Sequence, residues 1–168
     1  MKYKVSVQRN TLRFSAAHLT TFDGQAEPLH GHNYDLLVEV EGDLTDDAWV
    51  LDFGELKSLA EALCQQLDHR LLLPRDNPAL TITDVSDAWQ IVSGGQRYVI
   101  PKSDVCVMPL DNSTAERLAE WFCQRLADAL AGRGNVNAIS VGVEEAPGQA
   151  GWCTLSLERP LTWRPKAL

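Results

Sequence analysis

The chain has 168 residues, 45% of them hydrophobic and 23% charged, with a formal net charge of −8 and a pI near 4.9. That length suits a single domain over residues 1–168 with a core of its own. The acidic balance and the lack of a Lys/Arg cluster exclude nucleic acid as the expected partner, and the lack of a long apolar run or a signal-like start points away from the membrane, to the cytoplasm.

The first segment alternates as a strand. Tyr3, Val5 and Val7 share one face, then Leu12, Phe14 and Ala16 share the next apolar face, so a bulge or bend is expected near Arg9-Asn10. His18 continues the second parity and should emerge inward. Residues 19–29 read as a loop turning at Asp23-Gly24. A second strand runs from about His30 to Glu41, with His30, His32, Tyr34, Leu36, Val38 and Val40 on its core side.

Asp52 is placed as an N-cap, with Glu55 as its capping-box partner, and the apolar period predicts a helix over 53–67. Asp68 and His69 follow its end. Residues 75–110 read as an inserted β-hairpin, in which 88–92 and 97–100 flank a turn at Ser93-Gly94-Gly95-Gln96. A second helix should start at a Ser113 cap, paired with Glu116, and stop at Gly132-Arg133-Gly134. Two strands follow, one through Ile139, Val141 and Val143 and one over 152–157. The order predicts an α+β fold: an antiparallel four-stranded sheet with two helices on one face, plus the inserted hairpin.

Three of the four histidines, His18, His30 and His32, fall on matching strand faces. Three imidazoles with one open position are how catalytic zinc is held. His30 and His32 alone also fit a pair of hydrogen-bonded histidines on a half-buried strand; the matching parity of His18 favours metal. Gly31 between them leaves room for close backbone approach. Cys64, Cys106, Cys123 and Cys153 show no CxxC spacing, which disfavours a thiolate metal site. Cys64 and Cys123 fall on apolar helix faces as buried thiols.

Glu145 continues the inward parity of Ile139, Val141 and Val143, while Glu144 should point out. A carboxylate there is either ion-paired or at the strand end, or it receives the paired N–H groups of a cyclic amidine- or guanidine-like ring. Asp68-His69 fits a plain helix end or an acid/base pair. Glu27, three residues before His30, is either solvated or an acid/base group beside the metal.

Five blocks resemble one family: Phe14-Ser15-Ala16-Ala17-His18, Leu29-His30-Gly31-His32-Asn33-Tyr34, Leu51-Asp52-Phe53-Gly54-Glu55-Leu56-Lys57, Leu67-Asp68-His69 and Thr114-Ala115-Glu116-Arg117-Leu118-Ala119. They are similar to the 6-pyruvoyl-tetrahydropterin and 6-carboxytetrahydropterin synthases. The resemblance implies a tunnelling fold, a homo-oligomer (a hexamer) with active sites between subunits, and a zinc ion on His18, His30 and His32. It implies dihydroneopterin triphosphate or a close relative as substrate, Asp68 and His69 as the proton-transfer pair, and Glu145 and Thr114 on the pterin.

The chain departs from the family at Ala26, where a catalytic cysteine is expected four residues before His30. Glu27 instead resembles the subgroup associated with side-chain cleavage to 6-hydroxymethyl-7,8-dihydropterin, a folate precursor. The 75–110 insert is the other departure. The leading expectation is therefore a zinc-dependent lyase on 7,8-dihydroneopterin triphosphate. A 6-carboxytetrahydropterin synthase of the queuosine/deazapurine pathway, a 6-pyruvoyl-tetrahydropterin synthase and a zinc- and pterin-binding module without turnover are the alternatives.

Overall fold

The computed structural model describes residues 1–157, apart from the side chains of residues 9–11. Strand β1 (Tyr3–His18) runs antiparallel to a strand at His30–Gly42, and their register shifts between Gln8 and Arg13, the span of the expected bend. The shift lets both apolar parities of β1 reach one core, as predicted. Residues 19–29 are more ordered than a loop: β2 (Thr21–Phe22) and β3 (Gln25–Ala26) form a small hairpin before β4 (His30–Gly42). Its turn is Asp23-Gly24, with φ of 50° and 73°, the left-handed pair that matches the twist of a tight hairpin.

Helix α1 (Phe53–Leu67) has the predicted bounds. The Asp52 side chain caps it, accepting the Glu55 N–H at 2.8 Å. The capping box is otherwise not the one expected, because Arg133 donates to the Glu55 carboxylate at 2.5 and 2.6 Å. Helix α1 leads to β5 (Arg70–Pro74), β6 (Leu80–Val85), β7 (Ala88–Ser93), β8 (Gln96–Pro101) and β9 (Val105–Met108), then α2 (Ala115–Leu130), β10 (Val136–Ala146) and β11 (Gln149–Ser156). The cap of α2 is Thr114, which accepts the Arg117 N–H, and not Ser113. Ser113 instead donates its hydroxyl to the Leu19 carbonyl at 3.2 Å.

The main sheet has the order β11-β10-β4-β1-β5-β9. Its first four strands are the predicted antiparallel sheet; β5 and β9 extend it in parallel beyond β1, which corrects the four-strand expectation. Both helices lie against one face and share one core, in which Leu56, Leu67, Leu118, Phe122 and Leu126 are fully buried. Burial of each such side chain contributes roughly 1.5–3 kcal/mol.

The insert is not a hairpin. Strands β6, β7 and β8 form a three-stranded meander, and β9 belongs to the main sheet. A second apolar cluster of Leu19, Leu71, Leu73, Ile91 and Val105 joins this meander to the main sheet, whereas Leu72 joins the first core. Strand β5 is therefore buried on both faces.

Candidate active site

Strand pairing builds the histidine cluster. His18 lies directly across from His30 and Ala16 across from His32, so alternation brings all three imidazoles to one face. Gly31 permits the approach: a Cβ there would sit 2.6 Å from the Ala16 carbonyl oxygen. One nitrogen from each ring can be chosen so that all three lie within 4.8 Å of one another.

Hydrogen bonds orient two of the rings. His18 donates from Nδ1 to the Ser113 carbonyl at 2.9 Å, and His30 donates from Nδ1 to the Pro28 carbonyl at 2.8 Å. Carbonyls only accept, so both Nε2 atoms keep lone pairs, and these atoms lie 3.0 Å apart. Burial pushes the His18 pKa down to about 4, so this ring is neutral near pH 7 and offers its Nε2 lone pair. Two facing lone pairs, each backed by a carbonyl, are the arrangement a shared cation satisfies. The donor set therefore fits zinc, with His18, His30 and His32 as ligands.

A cavity of about 450 Å³ opens beside the cluster, lined by His18, His30, Glu27, Thr114, Glu116 and Glu145 among others. Glu27 faces His30, its carboxylate 3.8 Å from Nε2. It is held from behind: Thr20 Oγ1 donates to Glu27 Oε2 at 2.8 Å, and the Glu27 N–H donates to the Thr20 carbonyl at 2.9 Å. Burial raises the Glu145 pKa, against which the neighbouring His32 works in the opposite direction. Glu144, expected to point out, is buried; its carboxylate accepts the Gly148 N–H, so the β10–β11 turn folds over it.

Asp68 and His69 do not line this cavity. They pair at 2.9 Å, with His69 82% exposed, and His69 opens onto a second cavity that it shares with His32, Asn33 and Arg70. Asp68 is fixed by the Ser15 N–H at 2.8 Å, and this bond, with lesser help from His69, holds its carboxyl below the usual range. His69 takes the left-handed φ of 56° just after the helix.

A family model described as 6-pyruvoyl tetrahydropterin synthase matches residues 7–156. The chain belongs to this family. As a member of the 6-pyruvoyl tetrahydropterin synthase family it has the α+β tunnelling fold. Its structure resembles that of 6-pyruvoyl tetrahydropterin synthase from Plasmodium vivax with a TM-score of 0.87 at 30% identity, over 94% of this chain and 99% of that one. Two further structures of the P. vivax synthase carry alanine or cysteine in place of a glutamate described as a catalytic residue.

A Methanocaldococcus jannaschii protein, provisionally named 6-carboxy-5,6,7,8-tetrahydropterin synthase, is 33% identical over 82% of this chain and 86% of its own. A Pyrococcus furiosus dihydroneopterin monophosphate aldolase is 41% identical over 39% of this chain and 56% of its own.

Several residues of the site carried no sequence signal of their own. Thr20, which holds Glu27, lies inside a stretch that reads as loop. Asn112 and Ser113 reach Thr21 and Leu19 from nearly a hundred residues away. Glu116 reads as a capping partner yet lines the cavity. No helix among the described residues is long and apolar enough to cross a membrane.

Proposed function

We propose that the protein is a zinc-dependent lyase that cleaves the side chain of 7,8-dihydroneopterin triphosphate to give 6-hydroxymethyl-7,8-dihydropterin. The observation that carries this reading is Glu27, braced by Thr20 and aimed at His30 in a cavity where Ala26 offers no thiol. The catalytic glutamate of the P. vivax synthase and the name of the P. furiosus aldolase support it.

When bound to His18, His30 and His32, zinc supplies Lewis-acid polarisation of the substrate's side-chain oxygens. Glu27 acts as the base. Taking the hydroxyl proton at the second side-chain carbon lets its bond to the first carbon break: the distal fragment leaves as a triphosphorylated two-carbon aldehyde, and the electron pair passes into the ring C=N group and returns to take a proton at the first carbon. A base placed to take a C–H proton would favour elimination instead. Glu145 receives the paired N–H groups of the pterin, and Thr114 lies beside it.

Among the described residues the cavity lining holds Glu27, Glu116 and Glu145 but no Lys or Arg. Such a surface suits the amino-pyrimidinone end of a pterin and leaves the phosphates to be met from elsewhere. We place Asp68, His69 and Arg70 in the adjoining copy's site, with His69 moving the proton and Asp68 orienting it.

The M. jannaschii relative, which matches most of the chain, favours 6-carboxytetrahydropterin synthesis as the second reading. Incubation of zinc-loaded protein with 7,8-dihydroneopterin triphosphate, followed by mass spectrometry, separates them. The hydroxymethyl product is expected, and it should disappear in Glu27→Ala with zinc content retained. A carboxy product insensitive to Glu27→Ala would overturn the assignment, and no product at all would mark a pterin-binding module.

A further inference from the structure

We propose that Asn112, just past the 75–110 insert, and Asn77, inside it, clasp the β2–β3 hairpin and so position Glu27, making the insert and its C-terminal flank a frame for the base; this rests on the reading of Glu27 above. The clasp is two-sided. Thr21 N–H donates to Asn112 Oδ1 at 3.2 Å, and Asn112 Nδ2 donates back to the Thr21 carbonyl at 2.8 Å. From the other end of the insert, buried Asn77 donates from Nδ2 to Thr21 Oγ1 at 3.3 Å.

Thr21 adjoins Thr20, whose hydroxyl and carbonyl hold the Glu27 carboxylate and N–H. The insert also comes near the far side of the hairpin: a Cβ added at Gly94, in the β7–β8 turn, would meet the Ala26 Cβ at 3.5 Å. Ala26 immediately precedes Glu27. The two-residue strands β2 and β3 have one short ladder between them, so the hairpin has little stiffness of its own. The external clamp at Thr21 supplies it.

The consequence is specific. An uncharged clamp that acts through Glu27 should set the rate of proton removal without setting affinity for the pterin, because Glu145 lies on β10. Asn112, two residues before Thr114, also accepts the Ser113 N–H at 3.0 Å, so Thr20→Val, which leaves that bond in place, is the variant that isolates the base. A displacement of the base by about 1 Å can cost on the order of 100-fold in rate.

The test measures kcat and KM with 7,8-dihydroneopterin triphosphate, together with zinc content, for Asn112→Ala, Thr20→Val and Thr20→Ser. Asn112→Ala and Thr20→Val are expected to lose about 10- to 100-fold in kcat, with KM within about twofold and zinc retained. Thr20→Ser, which keeps the hydroxyl, should recover most of the rate. Wild-type kcat in both Asn112→Ala and Thr20→Val overturns the proposal, as does a parallel loss of kcat, pterin affinity and zinc, which marks a merely structural clasp. If Asn112→Ala does not fold, the contrast between Thr20→Val and Thr20→Ser decides. An active Glu27→Ala sinks the reading of the base itself, whereas an inactive Glu27→Ala beside wild-type rates in both Asn112→Ala and Thr20→Val sinks only the frame.

Discussion

Asp68 shows how hydrogen bonds to one carboxylate tie stability to pH. The Ser15 N–H and then His69 favour its ionised form in the folded chain, below the ordinary value of 3.8. The stability this contributes is present above pH 3.8 and is lost as the pH falls through the lowered folded value. Asp68→Asn is therefore expected to melt below the wild type near pH 7, with the gap narrowing as the pH is lowered below 3.8, in paired thermal scans at the two pH values. A gap of the same size at both pH values would contradict this account. At this scale the histidine set was legible because parity counts residues one at a time. Thr20 was not legible, because nothing in a lone threonine before a turn says which carboxylate it will meet.

Among the elements, α1 was readable to its ends, since an amphipathic period and an Asp cap act within the same four-residue neighbourhood. The two caps differ in strength: Asp52 accepts at 2.8 Å and Thr114 at 3.4 Å. Asp52→Ala is expected to cost about 1 kcal/mol in urea unfolding. Thr114→Ala should cost less stability but raise KM for the pterin, since Thr114 lines the cavity. Equal losses of stability with unchanged KM would place Thr114 outside the site. Strand β5 escaped the sequence because Leu71, Leu72 and Leu73 are buried on alternate faces of a doubly covered strand. Such a run has no alternation to detect, and a short one cannot be told from helix by period alone. The parallel pairing of β9 depends on it in turn.

For the whole molecule, the separation of His69 from the Glu27 cavity carries the strongest expectation. If the two halves of the machinery meet only between copies, Glu27→Ala and His69→Ala proteins, each inactive alone, should regain activity when co-expressed under different tags and purified as mixed oligomers. Verified mixed oligomers without activity would place both halves elsewhere. The histidine trio, the two helices and the antiparallel half of the sheet follow from near-neighbour pattern, because alternation and capping depend on residues a few places apart. Packing in three dimensions decides the rest. The parallel strands, the three-stranded insert and the asparagine clasp on Thr21 join segments up to 91 residues apart, and their hydrogen bonds form only once the cores beneath them have closed.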